Sequence, residues 1–157
     1  MFNNQEEFEN EAIGKVEGQI PDWLDGVLIR SGPGKWDLEE KFTLNHFLDG
    51  CAMMVKFEFD SKNKTVRAKS RFLQSNAYQK MVHIKRPVFT EFGTQAYPDT
   101  SKSFFARTIS RVVPSDLTDN DLSNVYKIDD EVFMTTESCN IWKIDPKSLD
   151  TLQKVSS

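Results

Sequence analysis

Two segments in which apolar and polar side chains alternate constrain this chain more than any other feature: Met53–Phe59 and Thr65–Leu73. Successive side chains on a strand point to opposite faces, so a period of two gives each segment one apolar face. The cluster Asp60-Ser61-Lys62-Asn63 between them is a turn, and the whole stretch predicts a β-hairpin. The last third repeats the theme in shorter units. Ser123–Ile128, Glu131–Thr136, Asn140–Ile144 and Leu152–Val155 read as strands, parted by the turn signals Asp129-Asp130, Ser138-Cys139 and Asp145-Pro146-Lys147. Four strands in about 33 residues is the rhythm of one propeller blade, and a β-sandwich would show the same spacing.

Upstream the pattern is less regular. Residues 1–18, acidic and polar with Glu6, Glu7, Glu9 and Glu11, read as an arm, frayed or docked, ahead of one domain over residues 19–157. Pro21 opens a short helical turn that Gly26 ends, and a strand follows over Val27–Arg30. Ser31-Gly32-Pro33-Gly34 is a turn cluster; a phosphate loop would continue with Lys-Ser/Thr into a helix. In the segment 104–113, Phe104 is followed by Phe105, Ile109 and Val112 at helical spacing, with Arg107 and Arg111 beside them. A membrane-surface contact, an ordinary surface helix and a loop packed on a sheet all fit that pattern.

Composition removes several function classes. A net charge of -4 and a pI near 5.2 give no footing for nucleic acid. Twelve Phe, three Tyr and three Trp call for a thick β core or a large apolar pocket. Cys51 and Cys139 are too few and too far apart for a disulfide framework or a CxxC site, and read as buried thiols of a reducing compartment. The first residues lack the basic and apolar regions of a signal peptide, and no apolar run approaches the ~20 residues of a membrane span, so the expected address is cytoplasmic.

Residues able to carry chemistry are sparse. The two histidines, His46 and His83, have no HxH or HxxxH spacing, whereas a non-haem iron site needs at least two imidazoles with a carboxylate, or more imidazoles. His46, in Asn45-His46-Phe47-Leu48-Asp49-Gly50, reads as a structural histidine fixing a tight turn; His83 reads as a surface residue. Glu137 ends the strand Val132–Thr136 at a sheet rim, where a carboxylate can accept the Nδ1–H of a metal-bound histidine or can simply be solvated. Thr118-Asp119-Asn120-Asp121 lacks the DxDxDG frame and terminal Glu of a calcium loop and reads as a turn.

Eight motifs, in order along residues 18 to 155, resemble the animal carotenoid cleavage oxygenases, the family of β-carotene dioxygenases and retinoid isomerohydrolases. They are residues 20–26 (Ile-Pro-Asp-Trp-Leu-Asp-Gly), 28–34 (Leu-Ile-Arg-Ser-Gly-Pro-Gly) and His46-Phe47-Leu48-Asp49-Gly50 with Met53. Arg71-Phe72-Leu73-Gln74-Ser75-Asn76-Ala77-Tyr78 and Glu91-Phe92-Gly93-Thr94 with Tyr97-Pro98-Asp99 come next. Thr118-Asp119-Asn120, Thr136-Glu137 and Ile144-Asp145-Pro146-Lys147-Ser148-Leu149-Asp150-Thr151 close the series. Ser31 in place of Asn, Leu48 in place of Phe and Thr100-Ser101 in place of Pro-Cys depart from the pattern; the last favours a carotenoid dioxygenase over a retinoid isomerohydrolase.

The resemblance implies an all-β, seven-bladed propeller, of which this chain holds the N-terminal blades with short helical segments. It further implies Fe(II) held by four histidines, O2 as co-substrate, a carotenoid or retinoid as substrate and retinal-type aldehydes as products. Neither His46 nor His83 matches a ligand position, and the first ligating histidine is expected shortly beyond Ser157. The piece alone is therefore expected to bind no iron and to be inactive. Glu137 matches the carboxylate that faces an iron-bound histidine, Phe92 and Thr136 match cleft positions, and His46, Asp49 and Gly50 match a structural motif. Membrane contact in the family favours that reading of Phe104, Phe105, Ile109 and Val112. A retinyl-ester isomerohydrolase and a non-catalytic short isoform or truncated reading frame are the alternatives.

Overall fold

The structure, a computed structural model, describes residues 2–39, 42–96, 118–136 and 140–156. Two four-stranded antiparallel sheets pack face to face, as successive propeller blades do. The first sheet holds β1 (Phe8–Gly14), β2 (Gly26–Lys35), β5 (Cys51–Asp60) and β6 (Thr65–Phe72) in the order β1-β6-β5-β2. Beside it, β3 (Asp37–Glu39) and β4 (Phe42–Thr43) form a small ribbon, a single 3-10 turn spans Phe47–Asp49, and helix α1 spans Asn76–Ile84. The second sheet runs β7 (Asn124–Ile128), β8 (Glu131–Thr135), β9 (Asn140–Ile144) and β10 (Thr151–Ser156) in simple sequence order.

The hairpin and the four-strand unit are where the alternation put them. Strand β5 explains why its start reads as a run of apolar residues instead of alternating. Cys51 and Met53 face one core, with Trp36, Leu38, Leu44, Phe72 and the Ala77 and Met81 side of α1. Ala52 and Met54 face the other, against Val132, Met134, Trp142 and Ile144 of the second sheet. A strand covered on both faces has no polar side to show. In the second core the pairs Val132↔Ile144 and Met134↔Trp142 are in cross-strand register, which places all four side chains on the inter-sheet face. Each such side chain contributes roughly 1.5–3 kcal/mol by leaving water.

Three local readings are corrected. Ser31-Gly32-Pro33-Gly34 is not a turn but the second half of β2, with a register irregularity between Pro33 and Lys35. Pro33 is tolerated there because β2 is the edge strand of its sheet, with β5 as its one neighbouring strand. Pro21–Leu24 makes a turn closed by Leu24 N–H to the Pro21 carbonyl at 3.1 Å, and no helix. The arm divides: Phe8–Gly14 is the outer strand of the first sheet, pairing with β6. Its acidic side chains masked a strand whose charges are used. Glu11 accepts Lys56 Nζ at 3.1 Å, and the Glu7 carboxylate accepts the Phe72 N–H at 2.6 Å.

Helix α1 has no counterpart in the sequence reading. Its signals are nonetheless present: Ser75 accepts the Tyr78 N–H at 3.1 Å as N-cap, and Lys85 closes the other end with φ 59°.

Candidate functional site

A cavity of about 420 Å³ opens where the edge strand β2, the 3-10 turn and the segment entering β7 converge. Phe47, Leu48 and Pro33 line one side, Leu122, Ser123 and Thr136 another, and Glu91, Phe92, Thr118 and Asn120 complete it. Phe92 and Thr136, both singled out in the sequence, thus face one space. Mixed apolar walls with a few polar groups suit an elongated apolar ligand. The Thr136 hydroxyl lies 3.2 Å from that of Ser123.

The 3-10 turn sets the Phe47–Leu48 wall. His46 Nδ1 accepts the Leu48 N–H at 3.2 Å, and the Asp49 carboxylate accepts the His46 N–H at 3.2 Å, a reciprocal capping box. Gly50 is confined by space: a Cβ there would lie 2.7 Å from Pro33 Cβ and from Trp36 Nε1. Behind Phe47, the rings of Trp36 and Phe2 stand 5.9 and 5.7 Å away, and Trp36 Nε1–H donates to the Phe47 carbonyl at 3.1 Å. The N-terminal segment is fixed at this point by Asn4, whose side-chain oxygen accepts the Trp36 and Asp37 N–H groups at 2.7 and 2.9 Å.

Asp49 also holds the loop that carries Phe92. Its carboxylate, 0% exposed, accepts the Gly93 N–H at 3.2 Å and the Thr94 hydroxyl at 2.6 Å. The Thr94 hydroxyl oxygen in turn accepts the Asn45 N–H at 2.7 Å. Phe92 is 69% exposed, so the loop backbone, more than packing, holds it in place.

Thr118–Asp121 is not a surface turn. Asp119, Asn120 and Asp121 are all buried, and they staple three elements. The Asp119 carboxylate accepts the Asn76 and Ala77 N–H groups at the start of α1, at 3.2 and 2.8 Å, and Lys154 Nζ at 2.9 Å from β10. Asn120 accepts the Ala52 N–H at 2.7 Å and donates to the Gly50 carbonyl at 2.9 Å. Asp121 is different: neither carboxylate oxygen has a hydrogen-bond partner among the described residues. Burial, reinforced by the Asp119 charge and opposed by Lys154, pushes its pKa up to about 8. Glu91 is similarly raised to about 7 by burial, against a hydrogen bond from Thr118 that favours its ionised form. No sequence argument had assigned Glu91 or Asn120 a role; burial of a polar residue is invisible in a pattern of types.

Among the described residues no group of three or more His, Cys, Asp or Glu side chains is placed to hold an ion. His46 Nδ1 is committed to its cap, and His83 lies exposed on α1. These residues do not fit an iron centre. Glu137, Cys139 and the segment with Phe104, Phe105, Ile109 and Val112 lie outside the described residues.

Two four-stranded sheets packed face to face, with a cavity where the edge strand β2 meets the segment entering β7, form part of a β-propeller. The chain belongs to the RPE65 family, described as retinal pigment epithelial membrane protein, which matches residues 1–157. It is 42% identical over 159 residues to a β,β-carotene 15,15'-dioxygenase of Gallus gallus, covering 99% of this chain and 30% of that protein. The Homo sapiens protein of the same name is 38% identical over 156 residues, covering 98% and 28%. A cobalt-substituted Synechocystis apocarotenoid oxygenase superposes with a TM-score of 0.79 at 24% identity, over 96% of this chain and 30% of that one. A chimera of that oxygenase with RPE65 gives 0.73 at 24% identity, over the same shares. The chain thus spans less than a third of the length of the relatives it matches.

Proposed function

We propose that this chain forms part of the substrate cleft of a carotenoid dioxygenase that uses O2 to cut a double bond of a β-carotene-like polyene, giving retinal-type aldehydes. The carrying observation is the convergence of Phe92 and Thr136 with Pro33, Phe47, Leu48 and Leu122 on one cavity. The names of the relatives at about 40% identity support the same chemistry. The chain's own part in it is to bind and orient. Apolar walls draw a polyene out of water, with about 25 cal/mol for each Å² covered, and the shape of the walls selects which segment lies where.

On this reading the Fe(II) belongs to histidines other than His46 and His83, which this sequence does not contain, and Glu137 accepts a hydrogen bond from one of them. Peripheral membrane contact through Phe104, Phe105, Ile109 and Val112, at a cytoplasmic location, belongs to the same proposal. The 157-residue chain by itself takes up no stoichiometric Fe(II) and does not cleave β-carotene; one equivalent of iron with turnover would overturn that. For the activity itself, a chain extended to the relatives' length is incubated with β-carotene and, separately, with a retinyl ester. Aldehydes from the first support the reading, and isomerised retinol from the second replaces it.

A further inference from the structure

The loop that carries Phe92 is held chiefly around one carboxylate. Residues 91–94 are closed by Glu91 N–H to the Thr94 carbonyl at 2.9 Å, and Gly93 and Thr94 both bond to Asp49, while the Thr94 hydroxyl also accepts the Asn45 N–H at 2.7 Å and Glu91 takes a hydrogen bond from Thr118. Gly93 fits closely: a Cβ at that position would lie 2.7 Å from His46 Cβ, so the two chain segments touch backbone to side chain. The Phe92 ring then sits 6.1 Å from the His46 ring, at the cavity edge. The same carboxylate organises the neighbouring turn, whose Phe47 and Leu48 also line the cavity. One buried anion with donors from both segments therefore fixes the distance between them.

We propose that Asp49 is a positioning residue that sets the width of the cleft by clasping the Phe47–Leu48 turn to the Phe92 loop. This rests on the reading of the cavity as a substrate cleft. Charge-assisted bonds suit the task, being shorter and stiffer than neutral ones. The Asp49 Oδ2 accepts all three donors, from His46, Gly93 and Thr94, so Asp49→Asn can keep one oxygen facing them but removes the charge that strengthens the bonds. It also sets an NH2 where Oδ1 accepts the Gly93 N–H, which loosens the clasp without adding a group to the cavity.

The test uses the whole 157-residue chain and β-ionone, a small apolar ring ketone, as probe, with isothermal titration calorimetry reporting occupancy. Wild type, Asp49→Asn, Phe92→Ala and the double variant form a cycle. Asp49→Asn is expected to weaken the probe about tenfold, as the loss of charge-assisted bonds would, and to weaken it hardly at all once Phe92 is alanine. Thr94→Val against Thr94→Ser repeats the comparison with a smaller perturbation: only the valine variant should lose affinity, by about threefold. Thr94 also keeps the test open if Asp49→Asn fails to fold. If the probe binds wild type and the losses are the same with and without Phe92, Asp49 is merely structural and the proposal falls. If wild type does not bind the probe, the cleft reading fails and this proposal falls with it.

Discussion

Lys56 Nζ donates to the main-chain carbonyl of Lys147 at 3.1 Å, so a charged group from the first sheet is hydrogen-bonded into a turn of the second. Lys56 follows Ala52 and Met54 on the same face of β5 and is only 4% exposed. Its charge is balanced by Glu11 at 3.1 Å and Glu58 at 3.7 Å, both at the sheet margin. The lysine thus seals the end of the inter-sheet core and joins β1 and β5 to the Asp145–Asp150 turn.

Lys56→Ala is expected to cost about 2–4 kcal/mol, because it opens a gap and leaves the Lys147 carbonyl unpaired. Lys56→Met keeps the stem volume and should lose less. Denaturant midpoints of the two variants, measured at one pH, decide it: equal losses would assign the effect to charge instead of packing.

Asp121→Asn addresses pH dependence. The folded state holds the Asp121 proton up to about pH 8, whereas an unfolded chain releases it near an ordinary carboxylate value of about 4. The stabilising contribution is therefore full below about pH 4 and is lost as the pH rises through 8; Glu91 acts in the same direction up to about 7. Removing the ionisation should leave acid stability unchanged and raise the thermal midpoint by several degrees at pH 8.5. A gap that is constant from pH 4 to 8.5 would contradict the raised pKa.

Asn120→Ala removes both buried bonds that bind the Thr118–Leu122 segment to β5 and strands the Ala52 N–H. A loss of about 2–4 kcal/mol is expected. Hydrogen exchange checks the mechanism, since the Ala52 amide should lose protection before amides of β8 and β9 do.

Met134→Ala empties the centre of the inter-sheet core, where Met134 is fully buried opposite Trp142. The expected cost is about 2–5 kcal/mol. Phe133, the next residue along β8, points to the other face and should tolerate alanine better. The ranking of the two by thermal denaturation is the check.

How much of this was legible follows from the kind of signal each feature leaves. The far half of β5, β6 and the strands of the second sheet could be read because one face of each meets solvent or a margin, and the alternation survives. β1 could not, because its outward charges are paired with Lys56 and Arg67 and look like a solvated tail. Helix α1 buries only Ala77 and Met81, with Tyr78 packed beside them on Phe72, too short a stripe to stand out. The cleft residues Phe92 and Thr136 came from resemblance alone. Nothing in a string of letters brings the Glu91–Thr94 loop to the Phe47 turn, since that meeting is made by Asp49, a residue with no neighbours in sequence to betray its partners.

Strand β1 completes the first sheet by pairing with β6, Phe8 opposite Ser70 and Gly14 opposite Val66. During synthesis β1 leaves the ribosome long before β6 exists, and at about 5–20 residues per second the gap lasts seconds. Through that interval its pairing partner is missing while the strand is already in solution, open to pairing with another chain. A charge such as that of Glu11 on an unpaired strand disfavours such pairing until Lys56 and Arg67 arrive to meet it.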